Sequence, residues 1–177
     1  MLERPIGALV TALRSLGADI EYLGQEGYPP LRIGPPQQFG KTSRQVRIHG
    51  GTSSQFLSAL LMIGPCLPDG LELIPEGDLV SRPYLEMTLQ LMRHFGAQAD
   101  WQSDRIVVAP GAYTPKKFTV EADWSAASYW YAMAALAQSP DIRLKGLFAD
   151  SWQGDAVLSR MMQSFGIQTI FEETGIH

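Results

Sequence analysis

Residues that could bind an anion stand at the starts of three predicted helices. Ser53, Ser54 and Gln55 begin one helix, Ser81 begins a second, and Arg4 stands just before a third. The first turn of a helix carries unpaired backbone N–H groups and the positive end of the helix dipole, so it attracts phosphate and carboxylate groups. Serine hydroxyls and a guanidinium add further donors. The pattern therefore predicts a local anion site, with the alternative that each serine is an ordinary helix N-cap.

Charge and cysteine content narrow the classes of function. The chain has 177 residues, 45% of them hydrophobic and 18% charged, and a net charge of −4. It can bury a core, and it has no overall basic field that would hold nucleic acid or an anionic membrane. Cys66 is the single cysteine, which excludes an internal disulfide and fits a reducing compartment. We expect a cytoplasmic protein without a metal site, since its three histidines are far apart in the sequence.

Three amphipathic segments end at a glycine. Leucine, methionine or phenylalanine recurs at helical spacing before Gly17, Gly96 and Gly166. Glycine readily adopts the left-handed conformation that ends a helix, and proline is tolerated in the first helical turn, where Pro5 and Pro83 stand. These signals predict three helices with marked ends.

Strands are expected between and after the helices. The β-type runs lie at residues 19–23, 45–49, 71–74, 99–101, 105–108, 117–121, 142–145 and 168–171. Two further helices, led by Ser53 and Asp123, alternate with them. This alternation predicts a mixed α/β fold made of repeated layered units of about 75 residues each.

Several of these segments together resemble the 5-enolpyruvylshikimate-3-phosphate synthases, also called 3-phosphoshikimate 1-carboxyvinyltransferases. The matching stretches follow the family's order along nearly the whole chain, at residues 3–7, 28–31, 53–62, 77–84, 125–129 and 153–155. The run Ser53-Ser54-Gln55 and the run Ser81-Arg82-Pro83-Tyr84 are the most specific of these motifs.

The resemblance implies a fold of two lobes, each built from βαβαββ units of the inside-out α/β barrel type. This chain would hold a partial lobe. Residues 1–150 would form about two such units, and residues 151–177 would form the crossover and the start of the second lobe. We interpret the chain as an internal fragment of such an enzyme.

The resemblance also implies an activity and roles for individual residues. Family members transfer the enolpyruvyl group of phosphoenolpyruvate to the 5-hydroxyl of shikimate 3-phosphate and release phosphate, without a metal or an organic cofactor. By match to the family motifs, the phosphate of shikimate 3-phosphate would be held by Ser53, Ser54 and Ser81. Gln55 would lie against the shikimate ring and near phosphoenolpyruvate, and Tyr84 would line the shikimate side. Arg4 would pair with phosphoenolpyruvate.

The family's catalytic acid and base and its remaining lysine and arginine clamps have no counterpart in this sequence. The catalytic residues are therefore unknown, and we expect the isolated chain to be inactive. Incomplete lobes leave apolar faces uncovered, so self-association is also expected. One alternative is a non-catalytic module that binds a phosphorylated ligand or assembles with another chain. Another is an RNA 3′-phosphate cyclase, whose repeats have a similar layout, although no nucleotide-binding motif or basic patch supports it.

Overall fold

A computed structural model describes residues 2–35 and 38–177 of the chain. The fold consists of two compact units, Met1–Lys116 and Lys117–His177. The predicted division near residue 150 concerns the lobes of a larger enzyme, and it stays a prediction.

The first unit contains one complete βαβαββ repeat. It is preceded by helix α1 (Gly7–Ser15) and the antiparallel pair β1 (Ile20–Tyr22) and β2 (Leu31–Ile33). The repeat itself comprises β3 (Gln45–His49), α2 (Ser54–Ile63), β4 (Leu71–Glu76), α3 (Arg82–His94), β5 (Ala99–Gln102) and β6 (Arg105–Val108). The order in the sheet is β3-β4-β6-β5, with β3 parallel to β4 and the other neighbours antiparallel.

The core of this unit lies between the sheet and the helices that cross it. Strand β3 alternates buried and exposed residues, as a strand with one covered face must. The side chains that fill the core from α2 and α3 are Leu57, Leu60, Leu61, Leu85, Leu89 and Met92, all almost completely buried. Gly17 and Gly96 follow α1 and α3 with φ of 90° and 91°, so the predicted left-handed helix ends are confirmed.

The second unit follows this plan with shorter elements and without the first strand. Helix α4 (Trp124–Leu136) is followed by β7 (Leu144–Lys145), by a short α-helix α5 (Leu158–Met161) between two 3₁₀ turns, and by β8 (Phe171–Glu172) and β9 (Gly175–Ile176). The sheet order is β7-β9-β8, and both pairings are antiparallel. Trp124, Tyr131, Leu147 and Ile176 form its buried core.

Two predicted elements of the second unit differ from the structure. The strand expected at residues 117–121 is wrong, because this segment is irregular. The nearest backbone hydrogen bond, from Ala122 N to Gly146 O, comes one residue after the segment. Phe118 instead stacks on Trp152, and Val120 is 83% exposed. The helix expected to end before Gly166 is mostly 3₁₀, although the glycine has the predicted positive φ of 80°.

Helices that cross a membrane are absent from the described residues, since no helix there is both long and apolar enough.

Candidate functional site

The parallel pair β3 and β4 brings two of the predicted helix starts to one edge of the sheet. The carboxyl ends of parallel strands meet at the same edge, so α2 and α3 both begin there. The loops that lead into the helices touch, because Gly50 N donates to Glu76 O at 2.7 Å. A Cβ added to Gly50 would lie 2.7 Å from Asp78 O. This close approach places the Ser53 loop against the Ser81 loop.

Helices α2 and α3 pack side by side near their starts. The hydroxyls of Ser58 and Thr88 are 2.8 Å apart, and Thr88 Oγ1 also donates to Tyr84 O at 2.9 Å. Thr88 is buried with both bonds made, so this polar contact joins the helices at low cost. It fixes the start of α3, which carries Tyr84, relative to α2.

The serines at these helix starts do not cap their helices through their side chains. Ser53 and Ser81 occupy the N-cap positions of α2 and α3, and neither side chain makes a capping hydrogen bond. The ordinary N-cap alternative therefore does not describe them. Part of each first turn is bonded internally, because Phe56 N donates to Ser53 O and Tyr84 N donates to Ser81 O, and Pro83 has no N–H. Ser53 and Gln55 are exposed, Ser54 and Ser81 are half-buried, and Tyr84 is 46% exposed, so side chains of both helix starts are accessible to a ligand.

Arg4 stands three residues before α1 in the chain. Gly40 N donates to Leu16 O at 2.7 Å. A Cβ added to Gly40 would lie 3.0 Å from the side chain of Leu67, a residue between α2 and β4. The end of α1 therefore lies at the amino end of β4. Helix α1 packs on β3 and α2. Arg4 is exposed, and its guanidinium makes no ion pair with any residue in the described ranges.

The start of α4, in the second unit, is occupied by the protein itself. Asp123 is its N-cap and accepts from Ser125 N at 2.7 Å. Trp124 N donates to Gln153 Oε1 at 3.0 Å, and the Ser125 hydroxyl donates to Asp155 at 2.6 Å. The two motifs at residues 125–129 and 153–155 are therefore partners in one hydrogen-bonded cap. The start of α4 is filled, unlike those of α2 and α3.

Comparison with known proteins decides the family. The family model described as EPSP synthase (3-phosphoshikimate 1-carboxyvinyltransferase) matches residues 1–176. The chain belongs to the EPSP synthase family. A 3-phosphoshikimate 1-carboxyvinyltransferase of Bacteroides fragilis is 52% identical over 177 residues, which cover 99% of this chain and 42% of the relative. One of Neisseria gonorrhoeae is 43% identical over 176 residues, covering 98% of this chain and 40% of the relative.

The fold agrees with solved structures of the same family. An EPSP synthase from Acinetobacter baumannii superimposes with a TM-score of 0.70 at 20% identity, over 99% of this chain and 39% of that one. The predicted α/β class and partial enolpyruvyl transferase lobe are thereby confirmed. This chain spans about two-fifths of the length of the curated relatives named above.

Sequence reasoning missed the contacts that shape the two loops. His49 ends β3 and accepts from Gly51 N through Nδ1 at 3.1 Å, which shapes the loop before α2. Arg82, at the start of α3, forms an ion pair with Glu86 at 2.8 Å and lies 4.6 Å over the Trp101 ring. The paired glycines that follow β3 are the sequence signal of a close approach between backbones.

Among residues 2–35 and 38–177 no cluster of His, Cys, Asp or Glu could hold a metal ion.

Proposed function

We propose that this chain supplies the shikimate 3-phosphate site of an enzyme that transfers the enolpyruvyl group of phosphoenolpyruvate to that substrate. The 5-hydroxyl oxygen adds to C2 of phosphoenolpyruvate while the methylene carbon takes up a proton. The bond from C2 to the phosphate oxygen then breaks, phosphate leaves, and the new methyl group gives up a proton. The observation that supports this is the pair of uncapped helix starts at one sheet edge, in a chain of the EPSP synthase family.

The substrate phosphate is assigned to the two helix starts. Ser53, Ser54 and Ser81 offer three hydroxyls, and α2 and α3 add two positive dipole ends. Backbone N–H donors come mainly from the first turn of α2, because Pro83 in the first turn of α3 has none. Such an arrangement binds a dianion without a basic protein. This suits a chain whose net charge is −4.

The remaining site residues are assigned to the ring and to the second substrate. Gln55 follows the serines in the first turn of α2 and can donate or accept along the shikimate ring, next to phosphoenolpyruvate. Tyr84 offers an aromatic face and a hydroxyl from the first turn of α3. Arg4 supplies a planar, permanently charged group that can hold a carboxylate or phosphate through paired hydrogen bonds.

We propose that the isolated chain does not turn over. The addition and elimination need proton transfer to and from carbon in a site that excludes water. The family's acid, base and additional cationic residues have no match in this sequence. The chain would bind part of the substrate, act in the cytoplasm, and need no cofactor, nucleic acid or membrane. Phosphate release above background by the purified chain would contradict this.

A titration of shikimate 3-phosphate followed by amide NMR tests the site directly. We expect saturable shifts at the amides of Ser53, Ser54 and Ser81, and their loss in a chain carrying both Ser53→Ala and Ser54→Ala. Each serine removed from a site with a charged ligand is expected to cost about 1.5–3 kcal/mol of binding. Unchanged binding in the double variant would refute the assignment. In an intact family enzyme, Ser54→Ala and Arg4→Ala should each lower kcat/KM by an amount in the same range.

A second candidate is an assembly module that carries the same ligand site but no catalytic role. Helix α4 favours it, because its apolar residues Tyr129, Trp130, Met133 and Leu136 are 74%, 48%, 49% and 89% exposed. An exposed apolar stripe of this kind promotes association. We expect the isolated chain to form dimers or larger species. Sedimentation equilibrium that fits a monomer at all concentrations would contradict this, and Leu136→Lys should weaken any association that is seen.

A further inference from the structure

His49 occupies the junction between the two loops of the candidate phosphate site. It is the last residue of β3, and Gly50, Gly51 and Thr52 separate it from Ser53. Its side chain is exposed at the carboxyl edge of the sheet. A strand end at this edge is where a side chain can influence both helix starts.

The path of the loop before α2 depends on His49. Gly51 N donates to His49 Nδ1 at 3.1 Å, and Thr52 N donates to His49 O at 2.9 Å. Gly50 N donates to Glu76 O at 2.7 Å. Thus each of the three loop amides has an acceptor, and two of the acceptors belong to His49. The loop reaches Ser53 with its amides already used.

The other ring nitrogen lies against the loop before α3. A Cβ added to Gly77 would stand 3.6 Å from His49 Nε2. Gly77 has a φ of 75°, which glycine adopts without strain, so a bare backbone approaches the ring here. Because Nδ1 accepts a hydrogen bond, the neutral ring carries its proton on Nε2. The imidazole therefore bonds to its own loop through Nδ1, and its Nε2 side faces the Gly77 backbone.

We propose that His49 is a positioning residue that fixes the path of the Ser53 and Ser54 loop by accepting from the Gly51 amide through Nδ1. This role rests on the proposed phosphate site. His49 acts on the serines and not on the ligand, so the property that matters is an acceptor at the Nδ1 position. Asparagine offers such an acceptor, since its Oδ1 can take a hydrogen bond from the amide two residues on. Alanine offers none.

The test compares His49→Asn with His49→Ala in the full 177-residue chain. Ring-nitrogen NMR of the unmodified chain, at a pH high enough that the ring is neutral, should show His49 with an unprotonated Nδ1. His49→Ala should speed hydrogen exchange at the Gly51 amide and move the amide signals of Ser53, Ser54 and Ser81, while His49→Asn keeps all of them. Shikimate 3-phosphate should bind about two- to tenfold more weakly to the alanine variant and within about twofold of normal to the asparagine variant.

Each outcome supports or overturns the role. Equal Gly51 exchange in the unmodified chain and in His49→Ala overturns it, and so does a proton found on Nδ1. Equally weak binding by both variants also overturns it. Asparagine keeps the acceptor at the Nδ1 position and lacks only a group at the Nε2 position, so such a result would mean that Nε2 contacts the ligand directly. If shikimate 3-phosphate does not bind the unmodified chain, the proposed site fails in this chain. The exchange and ring-nitrogen results, which need no ligand, still decide whether His49 holds the loop before α2.

Discussion

Replacing Gly50 by alanine should force apart the two loops that form the candidate site. The added Cβ would lie 2.7 Å from Asp78 O, 3.1 Å from the carbonyl carbon of Asp78 and 3.3 Å from Gly77 O. All three atoms are backbone, so none can move away by a side-chain rotation. The loop before α3 must shift, or the hydrogen bond from Gly50 N to Glu76 O must lengthen.

The expected cost follows from two opposing effects. Overpacking of a tight contact costs about 1–3 kcal/mol. Alanine also restricts the unfolded chain more than glycine does, which returns about 0.4–1 kcal/mol. We therefore expect Gly50→Ala to lower the free energy of unfolding by roughly 1–2 kcal/mol.

The measurement is urea unfolding followed by circular dichroism, with Gly111→Ala as the matched control. A Cβ on Gly111 meets no atom within 4 Å, and Gly111 is exposed. The control should be unchanged or more stable by up to about 1 kcal/mol. A midpoint for Gly50→Ala equal to or above that of Gly111→Ala, at the same dependence on urea, would refute the close approach of the loops. Shikimate 3-phosphate binding should weaken in Gly50→Ala and stay unchanged in Gly111→Ala.

Three further predictions concern the stability of the chain. Glu72 is 5% exposed and pairs with Arg44, which is itself largely exposed. Glu72→Gln should therefore lower the free energy of unfolding in urea by about 1–3 kcal/mol. An unchanged free energy would contradict the pairing. Asp123→Ala removes a capping bond and should lower the free energy of unfolding by about 1 kcal/mol. Ser81→Ala changes an N-cap position without a capping bond and should alter this free energy by less than about 0.5 kcal/mol. Equal losses of the two variants in thermal or urea unfolding would argue against this contrast. Burial, and to a smaller extent the neighbouring Cys66, raises the pKa of Tyr113, so the folded chain keeps this proton where the unfolded chain loses it. Stability should therefore fall as the pH rises above about 10, and Tyr113→Phe should reduce that fall in unfolding midpoints measured on both sides of this pH.

Local signals in the sequence were enough to place most elements of the first unit. Strand β3 and helix α3 lie within a residue of their predicted positions, and the hairpin of β5 and β6 follows its polar turn. These elements depend on hydrophobic spacing, proline and glycine, which act over a few residues. The family was also evident from motifs, since Ser53-Ser54-Gln55 and Ser81-Arg82-Pro83-Tyr84 are contiguous in the chain.

Long-range partners decided what the sequence could not. The β-type run at residues 117–121 does not form a strand, because a strand exists only where a neighbour pairs with it. The close approach of the two loops depends on the bond from Gly50 N to Glu76 O, and Glu76 ends the next strand.

The sequence by itself determined where the helices begin, and tertiary structure decided which of their starts stay open. The starts of α2 and α4 look alike in sequence, each with serines after a short polar run. Gln153, about 30 residues away, takes the N-terminal N–H of α4, whereas the side chain of Ser53 makes no capping bond at α2. A helix start attracts any acceptor within reach, so its availability to a ligand depends on which other segments the fold brings near it.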